Sequence, residues 1–105
     1  MSDAFGPRGR ARLDARVLGR VHGVGYRVFA LREAGRLDLA GFVANELDGS
    51  VRVVAEGARP DLDALLVRLE DGPPAAIVER VVPRWEPARG IGSGFRIESG
   101  AHRGD

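Results

Sequence analysis

The 105-residue chain contains no cysteine and no lysine, and each shortage excludes a familiar kind of chemistry. Without cysteine, the chain cannot form disulfides, thiolate nucleophiles or zinc–cysteine sites. All 16 basic residues are arginine, so a lysine nucleophile or Schiff base is excluded as well. The net charge is only +1, whereas nucleic-acid binders usually carry a strongly basic face, and we therefore expect no nucleic-acid partner.

Candidate metal ligands and general bases are also scarce. The chain has two histidines, His22 and His102, and no group of residues has metal-site spacing, so we expect no metal and no cofactor. Ser50 and Ser93 lack the accompanying base of a serine nucleophile. The first residues lack the long apolar run of a signal peptide or membrane span, so we expect a cytoplasmic protein that binds no membrane.

Apolar periodicity predicts five strands and two helices. Alternating apolar residues indicate strands, and apolar residues three or four apart indicate helices. In chain order we predict a strand at Ala11–Arg20, a helix at Val24–Leu37, strands at Leu39–Asn45 and Val51–Glu56, a helix from Pro60 to Gly72, and strands at Ala76–Trp85 and Phe95–Glu98. We expect one domain at residues 11–99, flanked by disordered tails at residues 1–10 and 100–105.

The order β-α-β-β-α-β, followed by a short last strand, predicts a ferredoxin-like α+β sandwich. Two split β-α-β units place two helices on one face of an antiparallel sheet. Right-handed crossovers make the first two strands parallel, with the third strand between them. The C-terminal ends of the first two strands then lie on one edge of the sheet, about 10 Å apart.

A glycine-rich stretch follows the first strand, where Gly23 and Gly25 precede Arg27. Such a turn at a helix N-terminus can point several backbone N–H groups at one anion, and the helix dipole adds positive potential. Arg27 would bring a planar fork of donors to the same place. The stretch is equally compatible with a purely structural turn, and Arg27 with a solvated arginine on the helix face. Because Val28 stands where a third glycine would be needed, it is not a dinucleotide fingerprint.

Asn45 ends the second predicted strand, at the same edge of the sheet. Its short amide side chain carries an acceptor and donors, so it could orient a water molecule. It could equally cap the turn that Asp48 and Gly49 predict. Its position beside the glycine-rich stretch favours the first interpretation.

Three motifs together resemble the acylphosphatase family. They are Gly19-Arg20-Val21-His22-Gly23-Val24-Gly25-Tyr26-Arg27, Gly41-Phe42-Val43-Ala44-Asn45 and Asp48-Gly49-Ser50-Val51. The family pattern is roughly G-x-V-Q-G-V-x-[FY]-R, G-[WF]-V-x-N and D-G-x-V, in this order and spacing. The resemblance covers about Ala11 to Glu98, nearly the whole predicted domain.

The resemblance implies a hydrolase that needs no metal and splits small acyl phosphates into a carboxylate and phosphate. It implies catalytic roles for Arg27 and Asn45, with Asn45 orienting the water. It also implies a phosphate-binding loop formed by His22, Gly23, Val24, Gly25, Tyr26 and Arg27. We expect such an enzyme to be a monomer.

Three residues depart from the family pattern. His22 stands where glutamine is usual, and we expect either a solvent-facing loop side chain or a pH-dependent donor near the phosphate. Ala44 replaces a residue that is often polar, which would affect substrate entry. Glu46 places a negative charge beside an anion site, where it either lowers affinity or points away.

Two other functions compete with a free hydrolase. An RNA-binding ferredoxin-like module needs stacking aromatics on the open sheet face, and the third strand offers only Arg52, Val54 and Glu56 there. An acylphosphatase-like domain could instead handle a carbamoyl or similar group within a larger assembly. Because the domain stands alone in this sequence, we favour the free hydrolase.

Overall fold

The structure is a computed structural model that describes residues 9–99. The elements, in chain order, are β1 (Arg10–Arg20), α1 (Tyr26–Arg36), β2 (Ala40–Asn45), β3 (Val51–Ala58), α2 (Arg59–Asp71), β4 (Ile77–Pro87) and β5 (Phe95–Glu98). All seven predicted elements are present.

The differences from prediction lie at element ends. Arg10, which we placed in the N-terminal tail, begins β1 and pairs with Ala58, so both strands are longer than predicted. Helix α1 begins at Tyr26 rather than Val24, because Gly25 adopts a left-handed conformation with φ 82°. The rest of the predicted tails, residues 1–8 and 100–105, lies outside the described residues.

The five strands form one sheet in the order β4-β1-β3-β2-β5. Neighbouring strands are antiparallel except β2 and β5, which are parallel. The sheet is therefore mixed rather than wholly antiparallel, because the chain leaving β4 crosses to the far edge and adds β5 alongside β2. The predicted ferredoxin-like fold is otherwise confirmed, with β3 between the parallel strands β1 and β2.

The hydrophobic core lies between one face of the sheet and the two helices. Alternate residues of β1 and β3 point into it, together with one stripe of α2: Leu13, Ala15, Val17, Val51, Val53, Ala55, Leu62, Leu65 and Leu69. Tyr26 fixes the start of α1 against α2, because its buried hydroxyl donates a hydrogen bond of 2.6 Å to the carbonyl oxygen of Leu69. Burial raises the pKa of the Tyr26 hydroxyl, so this donor keeps its proton.

The connection from β4 to β5 crosses the opposite, helix-free face of the sheet, and Glu56 of β3 holds it there. The Glu56 carboxylate accepts hydrogen bonds from the backbone N–H groups of Arg89, Gly90 and Ile91, at 2.9, 2.9 and 3.3 Å. The Arg12 Nη1 atom donates a fourth hydrogen bond at 3.0 Å. Burial alone would raise the pKa of Glu56, but these donors outweigh it and hold the pKa below its ordinary value of 4.5.

Replacing Glu56 with glutamine should destabilise the fold, because the buried Arg12 guanidinium would lose the closer of its two ionised partners, Glu56 at 3.0 Å and Glu86 at 3.6 Å, and the N–H groups of residues 89–91 would lose a charged acceptor. We expect Glu56→Gln to lower the free energy of unfolding by about 3 kcal/mol at pH 7, measured by urea denaturation. Glu98→Gln is the matched control, because it removes an exposed ion pair with Arg96 and should cost less than about 1 kcal/mol. Equal losses in the two variants would contradict the proposed role of Glu56.

The same comparison has a predicted pH dependence. Because the pKa of Glu56 is lowered on folding, its contribution is fully present above the ordinary value of 4.5 and is lost as the pH falls through the lower, folded-state value. The stability difference between wild type and Glu56→Gln should therefore shrink as the pH falls below 4.5.

Candidate functional site

The loop between β1 and α1 is shaped by two glycines in left-handed conformations. Gly23 has φ 71° and Gly25 has φ 82°, angles that residues with side chains rarely adopt. A Cβ atom at either position would meet nothing within 4 Å, so the backbone angles rather than lack of space require glycine. The loop therefore turns sharply and delivers the chain into α1 at Tyr26.

The first turn of α1 presents backbone donors at this loop. Its N-cap residue, Gly25, has no side chain to accept a hydrogen bond, and the first turn contains no acidic residue. The first backbone bond within the helix runs from the Phe29 N–H to the Gly25 carbonyl oxygen, at 3.0 Å. The N–H groups before Phe29 thus have no acceptor inside the helix and lie at the positive end of its dipole.

A cavity of about 170 Å³ opens at this helix end. Its walls come from the loop, the start of α1 and one residue of β5: Val21, Gly23, Gly25, Tyr26, Arg27, Val28 and Ile97. The structure therefore brings the predicted residues Gly23, Gly25 and Arg27 to one cavity. Tyr26 can contribute only its backbone N–H to a ligand, because its side chain lies in the core.

Asn45 lies at the expected edge but beneath the surface. Val51 pairs with Val17 of β1 on one side and with Asn45 on the other, so the three residues are level across the sheet. By strand alternation the Asn45 side chain points to the same face as Val43, the face that carries α1. Asn45 is only 3% exposed and is not part of the cavity wall, so its catalytic role stays a prediction.

The His22 side chain is half-buried, so it faces solvent only in part, and its role as a pH-dependent donor stays a prediction. Its Nε2 atom lies 2.9 Å from the carbonyl oxygen of Ser50. Because a carbonyl oxygen only accepts, Nε2 carries the proton in this hydrogen bond. The His22 side chain therefore ties the loop to the turn that follows Asn45.

The turn at residues 46–50 is itself rigidly held. The Ser50 carbonyl oxygen also accepts a hydrogen bond of 2.9 Å from the Glu46 backbone N–H. Asp48 Oδ1 accepts hydrogen bonds from the Ser50 backbone N–H and hydroxyl, at 2.9 and 2.6 Å. These hydrogen bonds lower the pKa of Asp48 and keep it ionised. His22 thus anchors the loop to a fixed point.

The other two departures from the family pattern lie away from the loop. Glu46 lines a groove on the helix-free face with Arg16 and Arg52, so its charge points away from the cavity. Ala44 is 2% exposed and does not line the cavity, and its expected effect on substrate entry stays a prediction.

Within residues 9–99, no three histidine, cysteine, aspartate or glutamate side chains gather as a metal site would require. Neither α1 nor α2 is long and apolar enough to cross a membrane.

Sequence reasoning did not single out Ile97 as a functional candidate. The sequence offered only a weak indication, because Ile97 is simply an apolar residue two positions after Phe95 in a four-residue strand. Ile97 reaches the cavity only because β5 lies beside β2. Local periodicity does not predict the order of strands within a sheet.

The fold and this cavity define a small α+β domain with a glycine-rich loop at a helix N-terminus, and known proteins share the fold. The family model described as acylphosphatase matches residues 13–97. An acylphosphatase from Salinibacter ruber is 48% identical over 86 residues, covering 82% of this chain and 90% of the relative. The crystal structure of acylphosphatase from Bacillus subtilis has a TM-score of 0.81 and 32% identity, covering 84% of this chain and 98% of that one.

The chain therefore belongs to the acylphosphatase family, and the expected enzyme class, an acylphosphatase hydrolase, is confirmed. A HypF crystal structure from T. kodakarensis is also similar, with a TM-score of 0.72 and 32% identity. The match spans 83% of this chain but only 12% of that much longer one.

The hydrogen bond from His22 to the Ser50 carbonyl predicts a difference between two substitutions. His22→Ala removes the donor and should lower kcat/KM for an acyl phosphate by about tenfold, because the loop and the Asn45 turn lose their fixed spacing. His22→Gln keeps an amide donor and should retain at least about a third of the activity. Wild-type activity in His22→Ala, or equal loss in both variants, would show that this hydrogen bond is not needed.

Proposed function

We propose that the chain hydrolyses small acyl phosphates by in-line attack of water, with the phosphate held by the loop at residues 22–27. The observation that carries this proposal is the cavity in which Gly23, Gly25 and Arg27 meet at the N-terminus of α1. Backbone donors and the positive end of the helix dipole lie at this cavity, Arg27 contributes to its wall, and the first turn has no carboxylate to repel an anion.

The chemistry of acyl phosphates suits so sparse a site. A carboxylate is a good leaving group, so no general acid has to protonate it. The loose transition state of phosphoryl transfer places charge on the equatorial phosphate oxygens and mainly requires positioning and charge stabilisation. In the proposed mechanism, backbone N–H groups and Arg27 supply both, and the phosphate accepts the proton of the attacking water.

Asn45 is proposed to orient that water. The sheet register brings Asn45 to the edge where β1 delivers the loop, level with Val17. Its rigid setting also fits positioning, since β3 flanks it and the hydrogen-bonded turn at residues 46–50 follows it.

We propose a hydrolase rather than a carrier domain. The chain is 48% identical to the Salinibacter ruber acylphosphatase but 32% identical to the HypF structure. The higher identity to a protein named acylphosphatase supports action on small acyl phosphates.

An RNA-binding role is not favoured by the open sheet face. Of the aromatic residues within 9–99, Phe42 alone lies on that face, and the guanidiniums of Arg52 and Arg96 each stand 5.8 Å from its ring centroid. Its ring is therefore already flanked where a base would have to stack.

We propose a cytoplasmic monomer that acts without a nucleic-acid or membrane partner.

Turnover of benzoyl phosphate tests the proposed function and the role of Arg27 together. Wild type should hydrolyse benzoyl phosphate in the presence of a chelator, and Arg27→Ala should reduce kcat/KM by at least about 10²–10³-fold. Arg32→Ala is the matched control, because Arg32 is an exposed arginine on the same helix and should leave the rate unchanged. No turnover above buffer in wild type would refute the hydrolase, and an unchanged rate in Arg27→Ala would remove Arg27 from the mechanism.

Substitution of Asn45 should separate catalysis from phosphate binding. We expect Asn45→Ala to reduce kcat strongly while inhibition by inorganic phosphate changes little, because the water and not the phosphate loses its partner. The inhibition constant for phosphate is the measurement, and a thermal melt establishes that the variant is folded. Parallel losses in kcat and phosphate affinity would instead make Asn45 a phosphate ligand.

A further inference from the structure

The cavity beside the loop has two walls of different chemistry. One consists of Gly23, Gly25 and Arg27, which we assign to the phosphate. The other is apolar and includes Val28 and Ile97. Val28 is 45% exposed and Ile97 is 39% exposed, although each is large and apolar. Because both side chains line the cavity and are partly exposed, a ligand bound there could contact them.

The position of Ile97 is fixed by the sheet. Ile97 pairs with Val43 of the parallel strand β2, so its side chain points to the same face as that of Val43. Asn45 lies two residues further along β2 on this face, which makes it the diagonal neighbour of Ile97. Ile97 therefore lies beside the residue proposed to orient the water, and it also contributes to the wall of the cavity at the loop.

The charges around the cavity further restrict which acyl groups could bind there. Arg27 is the only charged residue among its lining residues within the described part of the chain. If the phosphate engages Arg27, no second cation is left to bind another carboxylate, and no carboxylate is present to bind an ammonium group. An acyl group with an added charge would lose solvation at this wall without gaining a partner.

We propose that Ile97 and Val28 form the binding surface for the acyl group, and that the enzyme selects uncharged, apolar acyl phosphates. This inference rests on the proposed hydrolase function and names the class of its substrate. A fully buried methylene group contributes about 0.8 kcal/mol, which is about fourfold in affinity. Because this wall is only partly closed, we expect each methylene group of the acyl chain to raise affinity about twofold.

A series of substrates tests this selectivity. For wild type, kcat/KM should rise about fourfold from acetyl to butyryl phosphate and about tenfold from acetyl to benzoyl phosphate. Succinyl phosphate, which carries a second carboxylate, should fall below butyryl phosphate, although both have four-carbon acyl groups.

Ile97→Thr keeps the β-branched shape suited to a strand but replaces a terminal ethyl group with a hydroxyl. The ratio of kcat/KM for benzoyl over acetyl phosphate should drop from about tenfold to about threefold. Because it is a ratio, a uniform loss of activity would not change it. Val67→Thr is the matched control, since Val67 is exposed on α2 outside this cavity and should leave the ratio at its wild-type value.

A reversal of charge preference gives the second readout. Ile97→Arg places a cation on the apolar wall and should raise the ratio for succinyl over butyryl phosphate by about tenfold or more. An unchanged ratio in Ile97→Arg, or a benzoyl preference that survives Ile97→Thr, would overturn the assignment of the wall. Hydrolysis of all substrates at equal rates would defeat this inference but leave the hydrolase standing, whereas no hydrolysis of any would defeat the proposed function itself.

Discussion

The start of α1 is the constraint on which the account of this molecule depends. A helix leaves its first N–H groups without internal acceptors, and most helices satisfy some of them with a polar N-cap side chain. Here the N-cap is Gly25, which has no side chain, and no acidic residue lies in the first turn. The left-handed φ of Gly25 also turns the loop back, so that these donors and Arg27 share a cavity.

The rest of the fold keeps this helix end at the edge of the sheet. Tyr26, the first residue of α1, is buried and hydrogen-bonds to Leu69 of α2, so the helix cannot shift along its axis without breaking that bond. His22 ties the other side of the loop to Ser50, and β3 sets Asn45 level with the end region of β1. Glu56 holds the crossing to β5 and so helps to place Ile97 at the cavity.

Local patterns in the sequence were sufficient for the elements and for much of the site. Alternation in β1 and β3 and the leucine stripe of α2 reflect one-sided burial, and the spacing of Gly23, Gly25 and Arg27 placed three residues that do line one cavity. The side chains of His22 and Glu56 could not be placed from sequence. Their partners, Ser50 and residues 89–91, lie 28 or more positions away and depend on tertiary contacts. The parallel pairing of β5 with β2 could not be predicted from sequence either. It depends on the path of the connection from β4 and not on the four residues of the strand.

Titration of the ¹⁵N-labelled protein with inorganic phosphate tests the central claim most directly, because it reports on each backbone N–H without relying on turnover. The account predicts saturable chemical-shift changes that are largest for the amides of residues 23–28, and that weaken strongly in Arg27→Ala. Changes centred instead on the arginine groove of the helix-free face, lined by Arg16, Arg52, Arg80 and Arg84, would contradict it. So would small, non-saturating changes spread over the whole chain.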